Sequence, residues 1–117
     1  MRIVEGALID PDFLNQFLPK KLEYFDDKWK YLLEVNLTLD QIKKVQKIMT
    51  KHYEGPEPWY MDGYDLKNRD DVVCAFGADD GEGGKIFMFK RGDKKAFNEV
   101  KTYALSKGIP EEQMDFL

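Results

Sequence analysis

A proton-transfer or nucleophilic site in this chain has few residues to draw on. His52 is the single histidine and Cys74 the single cysteine. Triads and zinc centres need histidine together with serine, cysteine or further histidines. Cys74 sits among Val72, Val73 and Phe76, which is the setting of a small buried thiol. Acids are plentiful, so a carboxylate-dependent enzyme with His52 as proton carrier is the third of three readings. No spacing singles out a catalytic pair. We expect neither a metal nor a cofactor.

The stretch from Ala75 to Lys95, AFGADDGEGGKIFMFKRGDKK, holds the densest group of special residues. A phosphate loop needs its glycines to lead from a strand into a helix N-terminus. Here Lys85 is followed by the strand-like IFMF. A calcium loop needs acids at alternate positions between two helices. Asp79, Asp80 and Glu82 lack that spacing. The segment reads as a flexible acidic hairpin loop, then a central strand, then a capped helix start at Asp93. Replacing Gly83 and Gly84 with other turn-compatible residues is expected to leave function intact.

Binding chemistry is better represented. WYMDGYD follows the proline-rich break GPEP. Trp59, Tyr60 and Tyr64 interleave there with Asp62 and Asp65. Aromatic rings beside acids on a partly exposed strand are typical anchors for a partner. The competing reading is that Trp59 and Met61 face the core. A secondary charged surface comes from Lys43, Lys47 and Lys51 at helical spacing, with Lys44 alongside. It suits a charge-steered protein partner or a plain solvated face. It carries no arginine, and the net charge is −4, so no nucleic acid is expected.

Elements must position these residues. RIVEGALI (Arg2–Ile9) is β-branched and apolar and reads as a strand. PDFLNQFL makes a short N-terminal helix with Pro11 in its first turn. Lys28–Thr38 alternates cleanly: Trp29, Tyr31, Leu33, Val35 and Leu37 are apolar, and only Leu32 breaks the polar set. KLEYF is its weaker hairpin partner. Thr38 and Gln41 form a capping-box pattern. Leu39, Ile42, Val45 and Met49 give the following helix an apolar stripe, and Lys51, His52 and Gly55 suit its end. Trp59–Asp65, Val72–Ala78 and Lys85–Arg91 are strands joined by short turns, hence antiparallel. Asp93 caps a second helix, which Gly108, Ile109 and Pro110 end in a Schellman pattern.

The sum is a single α+β domain over residues 1–117. It has a mainly antiparallel sheet of about five to six strands, and two main helices, about 39–53 and 94–107, packed on one face. The chain is 43% hydrophobic and 14% aromatic, which suits a packed globule rather than disorder. No run approaches a membrane span, Glu5, Asp10 and Pro11 interrupt any leader-like stretch, and one cysteine suits a reducing cytoplasm. Small, mildly acidic chains of this pattern suit bacterial or phage proteins that act by binding. The leading expectation is therefore a non-enzymatic protein-binding module of inhibitor, immunity or adaptor type. A small-molecule-binding domain with an aromatic-lined pocket is the second reading. A sheet edge offers a route to a homodimer.

Overall fold

The computed structural model describes residues 1–25, 30–49, 59–78 and 80–110. Lys28, Trp29, Lys51, His52, Gly55 and Asp79 fall outside those ranges. Among the described residues the sheet has six strands. In chain order they are β1 (Arg2–Val4), β2 (Lys20–Phe25), β3 (Lys30–Glu34), β4 (Tyr60–Tyr64), β5 (Asp71–Phe76) and β6 (Ile86–Lys90). Their spatial order is β2-β3-β1-β4-β5-β6, and every neighbouring pair is antiparallel. Helices α1 (Leu39–Ile48) and α2 (Lys94–Ser106) complete the α+β fold.

The two helices cover opposite faces of the sheet, not one face as the sequence suggests. Side chains alternate along a strand. Ala75 and Val73 of β5 pack with Ile42 and Val45 of α1, in a core that also holds Ile3, Leu33 and Met61. Cys74 and Phe76 point the other way, to Val100, Tyr103 and Ala104 of α2. Double-sided burial explains why Val72–Phe76 is apolar at every position. Phe76 is fully buried between the rings of Tyr103 at 4.8 Å, Tyr60 at 5.8 Å and Phe87 at 6.1 Å. Burying a phenyl ring this way contributes about 3 kcal/mol.

Three other expectations need correcting. Arg2–Ile9 is not one strand: after Val4, residues Glu5–Ala7 coil into a 3-10 turn, and Leu8 then forms a lone bridge with Met49. The N-terminal helix is a 3-10 segment, Pro11–Phe17, ended by Leu18 in the left-handed region. Strand β6 is an edge of the sheet rather than its centre.

Helix α1 starts as its sequence dictates. The Thr38 hydroxyl accepts from the Gln41 N–H at 3.3 Å, and the Gln41 side chain accepts from the Thr38 N–H at 2.8 Å. It stops at Ile48, short of residue 53, because Met49 turns extended to meet Leu8 and the Ile48 carbonyl accepts from the Ile9 N–H at 2.7 Å. Helix α2 is capped by the Asp93 carboxylate, which accepts from the Ala96 N–H at 3.1 Å. It ends in the expected Schellman pair, Ile109 N–H to the Ala104 carbonyl at 3.0 Å and Gly108 N–H to the Leu105 carbonyl at 3.1 Å, with Gly108 at φ +93°.

Candidate functional site

The glycine-acid loop is an internal clasp. Asp80 is 4% exposed. One of its carboxylate oxygens accepts from the N–H of Glu82 at 2.8 Å and of Gly84 at 3.0 Å. The other accepts from the Lys85 N–H at 2.9 Å and the Tyr103 hydroxyl at 2.6 Å. Burial pushes the Asp80 carboxyl up, but these bonds outweigh it and hold the group below its usual value. Gln46 closes the loop from the α1 side, its amide nitrogen donating to the carbonyls of Phe76 at 2.8 Å and Gly84 at 3.0 Å. Asp80 thus spends its acceptors on its own chain. Cys74 is fully buried, and burial plus the nearby Asp62 push its thiol well above the usual range, so it is no nucleophile.

A surface site lies at the end of the sheet where β1 begins, β4 ends and α1 starts. The recess there is open and has a volume of ≈ 1010 Å³. Its walls include Leu39, Tyr64 and Leu66, which are 43%, 42% and 66% exposed. Charged side chains rim it: Arg2, Glu34, Asp62, Asp65, Lys67 and Arg91.

Local chemistry holds this wall in shape. The Arg2 guanidinium and the Asp62 carboxylate, cross-strand partners, pair at 3.0 Å. Gly63 permits the close approach of the first residue: a Cβ there would lie 2.7 Å from the Met1 sulfur and 2.8 Å from its Cα. The Tyr64 ring carries the Arg69 guanidinium at 5.7 Å. Asp65 begins an Asx turn by accepting from the Lys67 N–H at 2.7 Å, which leaves Leu66 at the tip, facing solvent. Asn68 repeats the motif with the Asp70 N–H at 3.2 Å. Arg91 braces the loop through the Arg69 carbonyl at 3.0 Å.

The residues proposed from WYMDGYD therefore divide. Asp62, Tyr64 and Asp65 meet at the recess. Trp59 packs against the α1 core, and Tyr60 packs on Phe76 on the α2 side. Lys43, Lys44 and Lys47 are exposed along α1, while Lys51 lies outside the described residues. Leu39, expected in the apolar stripe of α1, instead lies 43% exposed at the recess, and Leu66 was not singled out from the sequence. The signal for Leu66 was there, a lone large apolar residue inside the polar turn DLKNRDD.

No family model, no curated protein and no solved structure matches this chain. Among the described residues, no helix is long and apolar enough to cross a membrane, and no group of three or more histidine, cysteine, aspartate or glutamate side chains could hold a metal ion.

Proposed function

We propose that this is a small, non-enzymatic, cytoplasmic protein-binding module of inhibitor, immunity or adaptor type, docking a protein partner at the recess between β4 and α1. The observation that carries the reading is the convergence of Leu39, Tyr64 and Leu66, all substantially exposed, on one charged-rimmed recess. Exposed apolar groups gathered in one place and bordered by polar ones are what a docking site requires. The Asx turns and the Arg91 brace support it further, because a preshaped wall loses little entropy on binding. The aromatic side chains between the sheet and α2 favour this reading over a small-molecule pocket. Phe76, Phe87 and Tyr103 fill that space with one another, at centroid distances of 4.8–6.1 Å.

The test is affinity capture from the native host extract with three proteins: the natural chain, Leu66→Asp with Tyr64→Ala, and Lys43→Glu with Lys47→Glu. The recess variant is expected to lose its partner by roughly tenfold or more while melting at the same temperature. Capture unaffected by the recess changes but abolished by the lysine changes would move the docking surface to α1.

A further inference from the structure

We infer that β6 is a dimerisation edge, pairing antiparallel with β6 of a second copy about an axis at Phe87. The two ends of the sheet are built differently. β2 is protected: its pairing with β3 slips between Lys21 and Glu23, and Lys20 and Lys21 load it with charge. Bulges and lysines are the usual ways of blunting an edge. β6 has an unbroken register with β5 from Lys90 to Ile86, no proline, and Met88 60% exposed.

The hydrogen-bonding groups that β6 leaves unpaired among the described residues follow from its ladder. The Phe76 N–H donates to the Lys85 carbonyl at 2.9 Å, and the Arg91 N–H to the Asp70 carbonyl at 2.6 Å. Antiparallel bonding alternates, so Lys85, Phe87 and Phe89 face β5, while Ile86 and Met88 direct their N–H and C=O groups outward. The neighbouring groups are already taken. Gly84 donates to Asp80 and accepts from Gln46, and the Lys90 carbonyl accepts from the Asp93 N–H at 3.0 Å. The open ladder is therefore short and centred on Phe87.

Two symmetric pairings use these groups, and charge separates them. With the axis at Phe87, Ile86 of each chain bonds Met88 of the other, and Phe87 faces its own copy. Lys85 then stands opposite Phe89 of the second copy and Lys90 opposite Gly84, so no like charges meet and each lysine 85 gains an aromatic neighbour. With the axis at Met88, Lys85 would face Arg91, a repulsive pair. The first arrangement also covers the exposed Met88 side chain with an isoleucine.

Sedimentation equilibrium over a wide concentration range tests the pairing. The natural chain is expected to dimerise, and Met88→Lys to weaken the dimer by roughly tenfold or more with no fall in melting temperature at concentrations where both proteins are monomeric. A monomer at every concentration, or an unchanged dimer in Met88→Lys, overturns the inference. The register is read by cysteine crosslinking, with which the buried Cys74 does not compete. Under mild oxidation Phe87→Cys should give a covalent dimer in much higher yield than Met88→Cys. The reverse order overturns the axis at Phe87.

Discussion

The Tyr103 hydroxyl donates a 2.6 Å hydrogen bond to Asp80, joining the last turn of α2 to the loop between β5 and β6 across 23 residues of chain. Burial and then this bond push the Tyr103 hydroxyl's pKa upward, which favours the protonated, donating form. Three main-chain N–H groups share the same carboxylate. Tyr103→Phe should therefore cost about 2 kcal/mol, the worth of one bond to a charged acceptor. Asp80→Ala, which strands all three N–H groups, should cost about 3 kcal/mol or more. Urea unfolding of both variants checks the order.

The same carboxylate gives the fold a pH signature. Its pKa is lowered on folding, so the unfolded chain takes up the proton first as pH falls. Its stabilisation is complete above the unfolded value, about pH 4, and is lost as pH falls through the folded value. Asp80→Asn has no such proton to bind. The stability difference between the natural chain and Asp80→Asn should be constant near neutrality and shrink below about pH 4. A difference that grows on acidification contradicts the assignment.

The two adjacent glycines of the loop are not equivalent for stability. Gly83 and Gly84 both have positive φ, at +78° and +94°. A Cβ on Gly83 meets nothing within 4 Å, whereas one on Gly84 falls 2.9 Å from the Gln46 amide nitrogen and 3.2 Å from the Phe76 carbonyl oxygen. Gly83→Ala should cost about 1 kcal/mol of backbone strain. Gly84→Ala should cost at least twice that, because it also displaces Gln46 from its two carbonyls. Thermal melts of the pair decide it.

Phe76 and Phe87 share an aromatic cluster but differ in exposure. Phe76 is fully buried, and Phe87 is half-buried on the edge strand. Phe76→Ala should cost about 3–5 kcal/mol and Phe87→Ala clearly less, as measured by chemical denaturation.

Local signals in the sequence translated well. Thr38 and Gln41 cap α1 as written, Asp93 caps α2, and Gly108 ends it. Such features depend only on neighbours a few residues apart. Features that depend on distant partners did not translate. Nothing near Met49 says that Leu8 will claim it, so α1 looked longer than it is. Nothing near Asp80 names Tyr103, so a buried clasp read as a solvent loop. The unbroken apolar run Val72–Phe76 fits burial on two faces, but the expectation of both helices on one face made no use of it, and α1 and α2 cover opposite faces. For the candidate site, strand alternation separated Tyr60 from Trp59 and Met61, and Tyr64 reached the recess because β4 ends there.

The docking reading makes its most direct prediction in amide hydrogen exchange of the protein with and without its captured partner. Protection is expected at Tyr64–Lys67 and at the start of α1 around Leu39, with the amides of Lys43–Lys47 no better protected than in the free protein. Protection confined to Lys43–Lys47, or absent from Tyr64–Lys67, would contradict docking at the recess.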